Sequence, residues 1–478
     1  MKLIVDENLL SFKVLEQKIF DYVCELGRQI TQQILEAYDT ELAESRDKKH
    51  YRGKGKRKTC IKTVYGEVEY KRAVYRTKTE QGENAYVYLL DEAMQMDKIG
   101  LISTNLAEKI AMTVTESPYR VTAETISNTC GQSISSGGVW NMMQRLGERL
   151  DEEEQYAVKE MHADRVQGEK VIPVLFEEMD GIWLHMQNSN HRKMKKQEMK
   201  VFTMYEGWDK EQKKRSSLVE KTMLAGMESS QIFHEKREAL IEKKYNADEI
   251  QQRILNGDGG SWIRETYDPD AIFQLDRYHI YQEILRKISD RDAQREARKL
   301  FEEEKITEFL EFILVYADSV ETTDEKDKRS QKARELYHYL NNNKDGLLPY
   351  QKQGRKIPEP REGIVYKNMG VQESQNCTVI TMRMKHRRMR WSAKGANNLA
   401  KVLCCKENKE LCSTIERYTD GLIFHARMNE VIETLSAAKA PKKDGKGNPY
   451  VDVIRGHVSL LDAATSASRK VFRDAFIR

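Results

Sequence analysis

Two neighbouring apolar stretches, VIPVLFEEMDGIWLHMQ (171–187) and MKVFTMYEGW (199–208), set the terms for any fold of this chain; the polar, basic run NSNHRKMKKQ divides them. Apolar runs of this length, rich in β-branched and aromatic residues, predict two adjacent strands joined by a hairpin loop. Downstream, a charged stretch of helical texture (236–255) leads into ILNGDGGSWI and AIFQLDRYHI. Strands alternating with helices point to an α/β core.

The flanking regions differ in character. Leu10, Val14, Ile19, Val23, Ile30 and Ile34 fall at helical spacings, predicting one or two amphipathic helices that pack on another part of the chain. Arg46 to Arg76 then holds twelve Lys or Arg against Asp47, Glu67 and Glu69, whereas the whole chain is only +4. Charge is therefore segregated, which is how a nearly neutral protein builds a nucleic-acid surface. The first half, RDKKHYRGKGKRK, reads as a basic loop, and TCIKTVYGEVEYKRAVYR as a strand, a turn at Tyr65–Gly66 and a second strand. In SPYRVTAETISNTCGQSISSGGVWNMMQRL, a helix over 119–127, a turn at Gly131, a cap at Ser135 and a helix over 139–146 have the layout of a helix-turn-helix. A plain helical hairpin fits equally well, and the basic segment before it tilts the balance toward DNA.

Residues 281–350 are helical in pattern, with Phe309, Phe312, Ile313 and Tyr316 as an apolar stripe, and predict an all-α insertion. The chain then returns to a strand or turn followed by a long basic helix, and its end beyond APKKDGKGNPY carries no readable motif. With 478 residues, 33% charged and 8 prolines, the chain is sized for two or three packed domains. No apolar run reaches the roughly 18 residues of a membrane span, and no secretory leader is visible. Seven cysteines without a C-x-x-C suggest reduced thiols in a cytoplasmic protein. Cys404, Cys405 and Cys412 are expected to be buried, the last two sharing a helix face.

Three acids stand out. Asp180 interrupts an apolar strand, where a carboxylate is costly unless paired, hydrogen-bonded or metal-bound; an Asp-Gly at a strand end is, taken alone, more often a turn. Asp258 in NGDGGSW shares that ambiguity, because its glycines serve a turn or the close approach of a phosphate. Glu373 opens the basic helix, which carries Arg383, Lys385, Arg387, Arg388, Arg390 and Lys394 with no acid between the first and last of them. Two strand-end aspartates and a helix glutamate are the oxygen ligands that two Mg²⁺ or Mn²⁺ ions need for phosphoryl transfer.

The motifs VLFEEMDGIWLHMQ, YEGW, GDGGSWI, LDRYHI and GVQESQNCTVITMRMKHRRMRWSAKGA, in that order, resemble those of the DDE transposases of bacterial insertion sequences, most nearly the ISLre-type group. The resemblance covers most of the chain. It carries the acidic triad onto Asp180, Asp258 and Glu373, with 78 residues between the aspartates and 115 from Asp258 to the glutamate. Glu362 and Glu410, the other acids in reach, lie in no matching motif. Asp276-x-x-His279 looks like the D/C-x-x-H signature of several transposase groups and implies a supporting role, although a histidine bonded near a helix start would read the same. Trp262 and Trp391 read as packing residues rather than base-stacking ones.

The fold implied is α/β: a ribonuclease H-like catalytic core with an all-α insertion, plus an N-terminal α+β DNA-binding region. Its parts are N-terminal helices (1–45), a basic hairpin region (46–95), a helix-turn-helix-like region (96–165), the core's first part (166–280), the insertion (281–354), the core's second part (355–440) and a tail (441–478). The function implied is metal-dependent cleavage and strand transfer at the ends of the protein's own element, by a dimer or larger assembly on double-stranded DNA in the cytoplasm. Arg52, Lys54, Lys56, Arg57 and Lys58, with the Arg383–Lys394 run, are the expected phosphate contacts. The competing readings are a catalytically silent, domesticated transposase acting as a DNA-binding regulator and a nuclease without end specificity. The intact triad favours the enzyme, and the N-terminal region argues against the nuclease.

Overall fold

The computed structural model describes residues 11–94, 101–187, 196–211, 217–265, 268–322, 327–386 and 389–419. The predicted N-terminal helices are one, α1 (Phe12–Ser45), capped by Ser11. Its C-terminal half packs through Leu35, Tyr38 and Leu42 on an antiparallel sheet of β1 (Arg52–Thr63), β2 (Gly66–Lys78) and β3 (Asn84–Val87), closed by α2 (Leu89–Ala93). Val14, Ile19 and Val23 on the other half stay exposed. RGKGKRK is strand rather than loop. The ladder runs on to Arg52 opposite Arg76, with an irregularity between Gly53 and Lys56, so backbone pairing extends β1 where the side chains carry no apolar alternation.

Helices α3 (Thr104–Glu116), α4 (Tyr119–Thr129) and α5 (Ser136–His162) follow, and Ser135 caps α5 by accepting the Gly138 amide at 3.1 Å. The sequence placed α4 and this cap correctly. However, α5 continues for 27 residues and buries Met142, Met143 and Leu146, so it is a packed strut rather than a short protruding helix.

The central sheet holds β4 (Val174–His185), β5 (Lys196–Tyr205), β7 (Thr222–Gly226), β8 (Gln252–Gly257) and β9 (Ile272–Leu275) in the order β7-β5-β4-β8-β9; between β5 and β7 lies the short β6 (Trp208–Asp209). The β4–β5 and β5–β7 pairs are antiparallel, and β4–β8 and β8–β9 are parallel. Between β7 and β8, α6 (Ser230–Lys244) covers one face, where Leu175, Met179, Phe202 and Leu255 meet Phe233 and Ile241. On the other face Ile182, Leu184, Val201 and Ala225 join the core of α3 and α5. The architecture is thus mixed α/β, with a sheet buried on both sides.

A short α7 (Ser261–Arg264) precedes β9, and α8 (Arg277–Lys287), α9 (Arg291–Glu302), α10 (Ile306–Ser319) and α11 (Arg329–Asn342) make the expected helical insertion. Its own core includes Ile284, Phe301, Phe309, Ile313, Tyr316 and Leu336. The chain returns through β10 (Ile364–Val365), which pairs with β6. The long basic helix is broken: α12 (Gln372–Gln375), a π-helical turn (Asn376–Thr381) and α13 (Met382–Met384) end before Trp391, and α14 (Ala393–Glu407) starts afresh. Trp391 causes the break, because its backbone exchanges hydrogen bonds with His185 and Gln187 while its buried indole N–H donates to the Met384 carbonyl at 2.8 Å. Cys404 and Cys405 are buried on α14, whereas Cys412 is exposed on α15 (Leu411–Thr419), so Cys405 and Cys412 share no face. Arg387, Arg388 and the 441–478 tail lie outside the described residues. No described helix is long and apolar enough to cross a membrane.

Candidate active site

Alternation along β4 puts Glu178 and Asp180 on one face of the sheet and Glu177 and Met179 on the other. Asp180 is buried: its Oδ2 accepts from Asn376 Nδ2 at 2.6 Å and its Oδ1 from the Gly181 amide at 2.7 Å. Parallel pairing sets Gly257 of β8 opposite Met179, so Asp258 leaves the sheet beside Asp180. Asp258 Oδ1 accepts the Gly260 amide at 2.8 Å, and its carbonyl accepts the Tyr339 hydroxyl at 2.8 Å, which ties α11 to the site. Gly259 lies at φ +79°, and a β-carbon there would come within 2.6 Å of the Asn343 side chain; both facts call for glycine.

Glu373 sits in the first turn of α12, after Gly370 at φ +118°. Asp276 caps α8 by accepting the amides of Tyr278 and His279 at 2.9 and 3.3 Å, and also accepts Asn256 Nδ2 at 2.8 Å. Fixing the start of α8 turns His279 toward the site, with Nε2 3.7 Å from Asp180 Oδ1. The two supporting residues thus divide the work: Asp276 sets the helix, and His279 faces the first aspartate.

Burial pushes the Asp258 carboxyl above its ordinary range, against the Gly260 amide and with the help of Asp180's charge. Burial and then Asp180 raise Glu373 in the same way. For His279, burial would lower the value, but the facing Asp180 carboxylate carries it up to about 9. Among the described residues, the His279 contact is the one ion pair that reaches these three acids. The result is a set of neighbouring carboxylates short of positive charge, in which Asp180 raises the other two. An all-oxygen donor set of this kind fits hard divalent cations. The three are not drawn tightly together: the one described acidic trio with oxygens within 4.8 Å of one another is Asp151, Glu154 and Glu228.

That other trio is already supplied with cations. Lys236 Nζ lies 2.5 Å from Asp151, 3.0 Å from Glu154 and 2.5 Å from Glu228. Lys401 Nζ lies 2.6 Å from Glu154 and 2.8 Å from Glu228. Burial opposes ionisation of Glu228, yet the two lysines hold its carboxyl down to about 2. This cluster pins α5, α6 and α14 together, and its two lysines offset two of the three negative charges from within.

The expected phosphate contacts divide. Arg52, Lys54, Arg57 and Lys58 are exposed along β1, and Lys56 is exposed but paired with buried Asp39 at 3.3 Å. Lys385 and Arg390 are exposed, and Lys394 pairs with Glu148 at 2.8 Å. Arg383 is a correction: it is buried, its Nε donates to the Val114 carbonyl at 2.7 Å, and its guanidinium lies over the Tyr119 and Trp391 rings. It holds α13 to the helical core rather than facing a phosphate. Sequence reasoning missed Glu178 and Asn376. The two-residue spacing from Asp180 was the signal for Glu178, and the three-residue spacing from Glu373 was the signal for Asn376.

Residues 5–417 match the family described as "Uncharacterised protein family (UPF0236)". Similar proteins occur in Caldanaerobacter subterraneus subsp. tengcongensis. One UPF0236 protein is 24% identical over 410 residues, covering 84% of this chain and 79% of its own, and its name joins eleven locus designations. A second is 24% identical over 403 residues, covering 82% and 77%, and its name joins four. With the match running from the first helix to α15, the chain belongs to the UPF0236 family.

Proposed function

We propose that this protein is a DDE-type transposase that binds the ends of its own insertion sequence, cleaves beside them and joins the 3′ ends to target DNA. The observation that carries the reading is the arrival of Asp180, Asp258 and Glu373, from three distant stretches of chain, at one end of a sheet ordered β7-β5-β4-β8-β9. Numbered within the sheet that order is 3-2-1-4-5, with Asp180 on the first strand and Asp258 just after the fourth, which supports reading the sheet as a ribonuclease H-like core. The eleven locus designations joined in one relative's name fit a gene that has multiplied within a genome, as a mobile element does.

Asp180, Asp258 and Glu373 would hold two Mg²⁺ or Mn²⁺ ions, which when bound activate the attacking oxygen and stabilise the leaving one. Asn376 and the Gly181 amide orient the Asp180 carboxylate, and Asp276 aims His279 at it. The exposed cations of β1 would take the DNA backbone. The test is incubation of purified protein with DNA flanking its gene, a target plasmid and Mg²⁺ or Mn²⁺, beside Asp258→Asn. Metal-dependent nicks at the element ends and joined products, absent from the variant, are expected. Tight end binding without cleavage by the unaltered protein would replace this reading with that of a DNA-binding regulator.

A further inference from the structure

Glu178 is fully buried two residues before Asp180, and each of its oxygens is committed. Oε1 accepts the Tyr205 hydroxyl at 2.6 Å and the amides of Gly370 and Val371 at 3.1 and 3.2 Å. Oε2 accepts the Gln372 amide at 3.0 Å and Asn256 Nδ2 at 3.2 Å. Gly370, Val371 and Gln372 are the three residues immediately before Glu373. A carboxylate that gathers three successive amides at the start of a helix fixes where that helix begins and how it is turned. Asn256 extends the restraint, because the same side-chain amide also donates to Asp276, the cap of the helix that carries His279.

We infer that Glu178 is a positioning residue: it clamps the 370–372 backbone so that Glu373 is presented to the metal site together with Asp180, the two being set by one strand. The inference rests on the metal-site reading above. Gln is the informative replacement, because its amide group puts a donor against the Gln372 N–H or the Gly370 and Val371 N–H groups.

The test is Mn²⁺ binding to the DNA-free full chain, followed by calorimetry, for the unaltered protein, Glu178→Gln, Glu373→Gln and the double variant. Glu178→Gln is expected to weaken Mn²⁺ binding by about 10- to 100-fold, as loss of a residue supporting a metal ligand does. The double variant is expected to bind no more weakly than Glu373→Gln, because Glu178 acts through Glu373. Folded Glu178→Gln with unaltered Mn²⁺ affinity, or additive losses in the double variant, would overturn the clamp. If Glu178→Gln does not fold, Val371→Pro removes one clamped amide without burying a new donor. Weaker binding that is non-additive with Glu373→Gln then supports the clamp, and unaltered binding overturns it. Absence of Mn²⁺ binding by the unaltered protein refutes the metal-site reading itself, a separate outcome.

Discussion

Two acidic clusters among the described residues are treated oppositely by the chain. Asp151, Glu154 and Glu228 crowd to within 4.8 Å of one another and receive Lys236 and Lys401, which hold Glu228 down to about 2. Among the described residues, the one ion pair made by Asp180, Asp258 and Glu373 is the histidine beside Asp180, and burial raises both Asp258 and Glu373. Proximity of carboxylates therefore says little about metal binding. What matters is how much of their charge the fold has already offset. The tighter trio is a fastening, and the looser one holds unspent negative charge.

The largest expected effect separates the two by activity. Asp258→Asn should reduce metal-dependent DNA cleavage by roughly three orders of magnitude or more, whereas Glu228→Gln should leave per-molecule cleavage by the folded fraction near that of the unaltered protein; an end-labelled cleavage assay reads both. Stability should respond the other way. Lys401→Met removes a buried cation from three partly buried acids and is expected to cost about 3–5 kcal/mol in denaturant unfolding. Were the loss under about 1 kcal/mol, the fastening would be ornamental and the contrast would fail.

Acid sharpens the same contrast. The Glu228 carboxyl is lowered from 4.5 to about 2 in the folded chain, so its contribution is complete above about pH 4.5 and is lost as pH falls toward 2. Unfolding free energy should drop across that window by on the order of 3 kcal/mol. Glu228→Gln should flatten the drop, which a urea series at stepped pH will show. The smallest expected effect has the opposite sign. Removing one of the crowded, unpaired charges with Asp258→Asn should raise metal-free stability at neutral pH by about 1 kcal/mol, seen as a higher melting temperature.

What sequence revealed follows from how local each signal is. The strand pair around Asp180, the cap at Ser135 and the helical insertion all declare themselves within a dozen or so neighbouring residues. The strand at Arg52–Lys58 did not, because exposed cations carry no apolar alternation and only pairing with β2 makes the segment extended. Arg383 looked like its basic neighbours, yet Tyr119, Trp391 and the Val114 carbonyl, all distant in sequence or beyond the end of its helix, take it out of solvent. The acids of the site could be named from motifs. Their support could not, since Glu178 meets residues 370–372 only after almost two hundred residues have folded between them.

The π-helical turn at Asn376–Thr381 bears on how this chain can change over generations. Such a turn accommodates one residue more than a regular helical turn, so deleting a single residue within it would restore the ordinary pitch while leaving the flanking helical faces nearly where they are. Asn376, whose orientation is also fixed by Gln372 at 2.9 Å, opens this turn and would keep its contact with Asp180 if a later residue of the turn were lost. A one-residue gap at this place in a relative would therefore mark a lineage that closed the wide turn while the first aspartate stayed held as it is here, a change of length that the surrounding fold absorbs.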